Sequence, residues 1–260
     1  MKITIVNNKG GTGKTTTSVN LAAALAASGY RVLLVDLDSQ ASASFSLGVA
    51  RENLFPSAAG LLFDSADPRE IIRESGIPWL DLITGEMDLA SSDMILAEVP
   101  GRELRLARAL GGMDERYDFI LFDCPPSLSL LSINALMASE YYLIPVFPEY
   151  LALEGLLSLM EGIQRLKQGM GLKAQLLGIL LTSMSYPVTR KKINREIAGL
   201  IREHYGEGVF ETEIPRDIRL EEAPAYGKSV IQHAPRSRGA RGYAKCAEEL
   251  LRRCGVEKSS

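Results

Sequence analysis

The chain has 260 residues, with 29 Lys and Arg against 32 Asp and Glu and a formal net charge of −3. That length can bury one large core, and the slightly acidic balance excludes nucleic-acid binding through overall charge alone. Its cysteines, Cys124, Cys246 and Cys254, form neither a Cys-x-x-Cys pair nor an even set. They exclude a disulfide-stapled scaffold and predict a reduced compartment. No run of about 20 apolar residues is long enough to span a bilayer. The first strand is entered at once, without a signal sequence, so a cytoplasmic location is expected.

Ile3-Thr4-Ile5-Val6 is the first strand candidate, and Asn8-Lys9-Gly10-Gly11-Thr12-Gly13-Lys14-Thr15-Thr16 follows directly. Ser18–Ala27 then continues at helical spacing. Strand, glycine-rich turn and helix in that order form the context of a phosphate-binding P-loop. Gly10, Gly11 and Gly13 bring backbone N–H groups close to phosphate oxygens, with Thr12 and Thr16 in the same loop and the helix dipole adding positive potential. Lys14 is expected to reach the β- and γ-phosphates and the Thr15 hydroxyl to hold Mg²⁺. The usual pattern places its first glycine where this chain has Asn8, and a second lysine, Lys9, opens the loop.

Arg31-Val32-Leu33-Leu34-Val35-Asp36-Leu37-Asp38 is an apolar run ending in two aspartates, as in a strand covered on both faces. Residues 48–78 are less regular, with short helices suggested at Leu54-Phe55 and Leu61–Phe63. Trp79–Ile83 reads as a strand, followed by helical segments up to Leu110. Phe119–Asp123 and Tyr142–Val146 are further buried strands. Leu153, Leu156, Leu157, Met160 and Ile163 recur at helical spacing, Leu176–Leu181 is a strand, and Ile193, Ile197, Leu200, Ile201 and His204 make another helical face. A helix around Tyr243–Arg253 closes the chain. Strands and helices alternate with no linker or repeat between them. They predict a single α/β domain over residues 1–260, a doubly wound, mostly parallel sheet with helices on both faces.

In such sheets ligands bind beyond the carboxyl ends of the strands. The P-loop, Asp36 and Asp38, Asp123 and the turn after Leu181 all fall there. Asp123, after four apolar residues, is expected to hold Mg²⁺. Alternation in an extended segment puts Asp36 and Asp38 on one face.

The Lys-Gly-Gly-Thr-Gly-Lys-Thr loop, with its early lysine, resembles the deviant Walker A motif of the ParA/MinD group of P-loop ATPases. Asp36-Leu37-Asp38-Ser39-Gln40 is similar to that group's first switch, with Ser39 where proline is usual. Asp123-Cys124-Pro125-Pro126-Ser127 is similar to its second. The likeness continues through Ala152-Leu153-Glu154-Gly155, Gly178–Thr182 and Ile214–Pro224, and departs at Ser183–Val188. It implies that Lys9 reaches across a dimer interface to the partner's nucleotide. Asp38 positions the attacking water, Asp36 supports the switch loop or the metal shell, and Pro215, Arg216 and Asp217 lie near the adenine. The implied activity is Mg²⁺-dependent ATP hydrolysis by a dimer assembled on ATP and stimulated by a ParB-like partner or other adaptor.

Charge is unevenly spread. Residues 1–180 carry 14 basic and 21 acidic side chains, and residues 181–260 carry 15 and 11. Lys191, Arg195 and Arg202 are spaced to share one helix face, and Arg219, Arg236, Arg238 and Arg241 follow. In the resembled group a C-terminal basic surface, doubled on dimerisation, holds nucleoid DNA without reading sequence. Lys191, Arg195, Arg219 and Arg238 are the residues expected to do so here, through phosphate contacts. The alternative is a MinD-like membrane-associated ATPase, which ends in an amphipathic helix with a strong apolar face. The tail Leu250–Ser260 is short and ends polar, so a membrane partner is not expected.

Overall fold

The computed structural model describes residues 1–184 and 192–256. Lys191 and the Ser185–Val188 part of the departure from the ParA pattern lie outside these residues, as does the tail beyond Val256.

Among the described residues, seven strands form one sheet: β1 (Lys2–Ile5), β2 (Val32–Asp36), β3 (Arg73–Ile77), β4 (Leu80–Ile83), β5 (Phe119–Asp123), β6 (Tyr141–Val146) and β7 (Gln175–Leu181). Their spatial order is β3-β4-β2-β5-β1-β6-β7, parallel throughout except for the edge pair β3 and β4. Period-two alternation sorts the side chains onto two faces. Val32 and Leu34 join the core beneath the first helix (Lys14–Ala27) and the last helix (Arg238–Arg253). Leu33 and Val35 point the other way, to a core shared with Leu106 and Leu131. Further along that second face, Ile144, Ile179 and Leu181 pack under the helices Ala152–Met170 and Lys192–Tyr205. Every residue of β1, β2 and β5 is buried, which is why β2 and β5 read as apolar runs up to their closing aspartates.

Three expectations are corrected in detail. The irregular stretch 48–78 contains β3, whose Arg-Glu-Ser-Gly-Ile sequence lacks strand character and is held by pairing with β4 across an irregular register. In the helix Ala152–Met170 the buried stripe runs through Leu156, Leu159 and Ile163, and Leu157 is exposed. In the helix Lys192–Tyr205, Ile197, Ala198 and Ile201 face the core, whereas Ile193 and Leu200 are each 50% exposed. The neighbouring elements set which side of the helix is covered, so the buried stripe is rotated from the one that apolar spacing alone suggests.

The last helix is capped by Ser237, whose hydroxyl accepts the Ala240 N–H at 3.0 Å. Its apolar face, including Tyr243, Cys246 and Leu250, is packed in the core against the first helix. That face is therefore used inside the fold. No helix among the described residues is long and apolar enough to cross a membrane.

Candidate active site

The register Ile5↔Asp123 and Asp36↔Asp123 sets the carboxyl ends of β1, β5 and β2 side by side. The P-loop leaves β1 at this edge. Gly13, just ahead of the first helix, has φ 87° and ψ 26°, left-handed values that an L side chain rarely adopts. Behind the loop, the Thr182 hydroxyl donates to the Thr12 carbonyl at 2.9 Å, tying it to the end of β7. Lys14 is buried and curls back so that its Nζ donates to the Lys9 carbonyl at 2.8 Å. Burial holds its ammonium below the ordinary value of 10.5, and the Asp123 charge opposes that shift.

Asp123 is fully buried at the floor of the loop. The Thr15 hydroxyl donates to its Oδ2 and the Ser18 hydroxyl to its Oδ1, both at 2.8 Å. Burial, then the charge of Asp36, pushes the Asp123 carboxyl up to about 7, while the two hydroxyls pull it down. A carboxylate placed in so dry a position favours a cation beside it. The donor set fits magnesium: a hydroxyl and a carboxylate already in contact, which is how that ion is held when phosphates and water supply its other ligands.

Asp36 is also fully buried. Its Oδ2 accepts the Ser44 N–H at 2.9 Å and the Ser44 hydroxyl at 2.7 Å, and its Oδ1 accepts the Asp38 N–H at 3.1 Å. Burial raises its carboxyl to about 6 against those bonds. Asp36 thus fastens the loop that follows β2 to the short helix Ser42–Ser46. Asp38, half-buried in that loop, accepts the Gln40 N–H on Oδ1 and the Ala41 N–H on its carbonyl, each at 2.9 Å. The turn ends at Ala41 with φ 52°, an uncommon conformation for a residue with a Cβ. Gly85, just past β4, closes the arrangement from below. A Cβ there would lie 2.5 Å from the Asp38 carbonyl oxygen, and its N–H donates to the Ser44 hydroxyl at 3.1 Å.

A cleft of ≈ 310 Å³ opens beside the loop, lined by Gly11, Gly13, Thr16, Pro215, Arg216 and Asp217 among others. Its size is at the small end of ligand pockets. Asp217 caps the helix Ile218–Glu222 through the Arg219 N–H at 3.1 Å, and its other oxygen accepts the Gly239 N–H at 2.8 Å. The structure therefore gathers the P-loop residues, Asp36, Asp38, Asp123 and residues 215–217 at one edge of the sheet. Lys9 stands apart. Its N–H donates to Asn7 Oδ1 at 3.0 Å, and its ammonium donates to the Leu151 carbonyl, directed away from the loop. Cys124 is buried with its thiol pushed up, first by burial, in keeping with a packing role.

Ser18, Ser44, Gly85 and Thr182 were not singled out from the sequence for the roles they take here. Ser18 carried a readable signal: three residues after Thr15, it lies on the same side of the helix and so meets the same carboxylate.

The basic residues are less gathered. Arg195 is exposed, Arg219 forms a 2.5 Å ion pair with Glu222, and Arg238 Nη2 donates to the Arg216 carbonyl at 3.2 Å. Arg202 is turned inward, donating to the Phe210 carbonyl and to Glu213, each at 3.0 Å, so it does not present its charge on one outer face with Arg195. Arg238, Arg241 and Lys245 line one wall of an open groove of ≈ 600 Å³ that also carries Glu211 and Glu213.

A family model described as AAA domain matches residues 1–176. The sporulation initiation inhibitor protein Soj of Bacillus subtilis is 42% identical over 248 residues, covering 95% of this chain and 97% of that protein. The chromosome partitioning protein ParA of Myxococcus xanthus is 38% identical over 251 residues, covering 96% of this chain and 88% of that protein. The chain belongs to the ParA/Soj family of P-loop ATPases. A solved structure similar to this ParA/Soj chain is described as cobyrinic acid a,c-diamide synthase from Mycobacterium smegmatis with bound ADP and magnesium. It has a TM-score of 0.84 and 31% identity, covering 98% of this chain and 95% of that one. The ParA/Soj likeness extends beyond the AAA match, through β7 and the last helix, to the part of the chain that carries residues 215–217.

Proposed function

We propose that the chain, acting as one ATPase domain over residues 1–260, binds ATP with magnesium, pairs with a second copy, and holds nucleoid DNA until hydrolysis releases it. The cargo is a plasmid, a chromosome origin or a protein assembly, and a ParB-like adaptor stimulates turnover. A cytoplasmic, nucleoid-associated location follows from this reading. The observation that carries it is the joint hold of Thr15 and Ser18 on the buried Asp123 at the floor of a P-loop whose early lysine is directed elsewhere. That is a phosphate and cation site with one extra charge left for a second subunit.

The backbone of Gly10–Gly13, with Thr16, cradles the phosphates, and Lys14 leaves its contact with the Lys9 carbonyl to bind the β- and γ-oxygens. Thr15 and Asp123 would hold the magnesium, which when bound would neutralise phosphate charge. Asp36 keeps the first switch in register, and Asp38 orients the attacking water. Pro215, Arg216 and Asp217 border the base. Lys9 adds its charge to the partner's nucleotide. Pairing two basic faces adds their phosphate contacts, and each neutralised phosphate steepens the log–log salt dependence of DNA binding by about 0.9.

The test is a duplex-binding titration at several salt concentrations with ATP and with ADP. Binding is expected only with ATP, indifferent to sequence, and lost between low and moderate salt. Neutralising Lys191, Arg195, Arg219 and Arg238 together should weaken it while ATP-dependent pairing survives. Equal retention with both nucleotides would remove DNA from the proposal. ATP-dependent sedimentation with anionic liposomes would replace it with a membrane surface.

A further inference from the structure

Lys9 is held at both ends within its own subunit. Its carbonyl accepts Lys14 Nζ, its N–H is held by Asn7, and its ammonium donates to the Leu151 carbonyl. Between these points the side chain lies across Gly155, in the first turn of the helix Ala152–Met170. A Cβ on Gly155 would stand 2.7 Å from Lys9 Cε, closer than real contacts allow, and a tight 3.1 Å from Cδ. The absence of a side chain at 155 is what makes room for the lysine stem. We infer that Gly155 and the Leu151 carbonyl form a cradle that parks Lys9 in its own subunit, so that Gly155 is a positioning residue setting how readily Lys9 extends towards a second copy.

The cradle is a weak one by its chemistry. The Leu151 carbonyl already accepts the Gly155 N–H at 3.1 Å, so the lysine shares an occupied acceptor. An ammonium beside the first turn of a 19-residue helix also sits at the positive end of the helix dipole, with Glu154 alone among first-turn residues to offset it. Such a site holds the lysine clear of the phosphates in the lone subunit and gives it up when a better anion is offered. The inference rests on the reading that Lys9 acts across the dimer.

Gly155→Ala tests it without endangering the fold. The position is helical, and alanine there favours the helix over glycine. The added Cβ meets the flexible stem of Lys9, which is displaced from the cradle. ATP-dependent pairing is followed by stopped-flow light scattering, and ATP affinity is measured on dilute protein. Expected is pairing about threefold to tenfold faster than wild type, the worth of one exposed hydrogen bond, with unchanged ATP affinity and an unchanged or raised melting temperature. Lys9→Ala/Gly155→Ala should behave as Lys9→Ala alone. Pairing of Gly155→Ala at the wild-type rate or slower would overturn the cradle, as would acceleration that persists without Lys9. Failure of the underlying reading looks different, because Lys9→Ala itself would then pair normally with ATP.

Discussion

Asp123→Asn provides a test of the site that needs no ligand. In the folded chain without a cation, burial and the neighbouring Asp36 hold the Asp123 proton up to about 7, against an ordinary value of 3.8. That gap of about three units, at about 1.4 kcal/mol per unit, amounts to on the order of 4 kcal/mol for ionising Asp123 in the folded chain. The folded state keeps its proton to higher pH than the unfolded chain does. This contribution therefore favours folding least at high pH: stability falls as pH rises from about 4 through about 7 and levels off above. Asparagine keeps the volume and one acceptor, and its amide can donate to the Ser18 hydroxyl. Urea denaturation without nucleotide or magnesium should find the variant more stable at pH 8 by about 2–4 kcal/mol, with the difference closing towards pH 4. Adding ATP and magnesium should stabilise the wild type alone. Equal stability at pH 8, or a difference that does not change with pH, would refute the view that a buried carboxylate without a neutralising partner sits at the centre of the site.

Other expectations concern chemistry. Lys14→Ala removes the charge proposed to bridge the β- and γ-phosphates and should abolish ATP binding or turnover, read by equilibrium binding and phosphate release. Asp38→Ala should keep ATP and magnesium binding but slow hydrolysis by at least about tenfold, leaving the ATP-bound pair long-lived. Unchanged turnover would pass the water-orienting role to another carboxylate. Ser18→Ala leaves Asp123 Oδ1 without its 2.8 Å donor and should weaken magnesium dependence of ATP binding more than ATP binding at saturating magnesium, measured as a titration of each.

Much of the candidate site was legible because its signals are local. The P-loop spacing and the aspartates closing β2 and β5 each declare themselves within a few residues, parallel-strand topology collects strand ends at one edge, and Pro215–Asp217 entered only through the family resemblance. What escaped works through tertiary contact. Gly85 and Gly155 look like ordinary glycines until Asp38 and Lys9 are laid against them. Ser44 is one of several serines in its segment, and only the turn of the chain brings it to Asp36. β3 escaped because an edge strand borrows its conformation from β4 rather than from its own residues. Arg202 was placed by helical periodicity on an outer face, and Glu213, from a distant loop, draws it in.

The position of β1 in the sheet has a consequence for how the chain is made. β1 pairs only with β5 and β6, through contacts such as Lys2↔Ile120 and Ile3↔Tyr141. At about 5–20 residues per second, the ribosome takes roughly 6–24 s to add the residues between β1 and its first partner. Through that interval β1 has no neighbour on either side, and its pairing is among the long-range contacts that slow folding. The P-loop cannot take its final shape sooner, because Asp123 arrives with β5 and Thr182 later still along the chain. A nascent chain of this protein should therefore be a chaperone client well before it is able to bind a nucleotide. Its binding site is written early and assembled late.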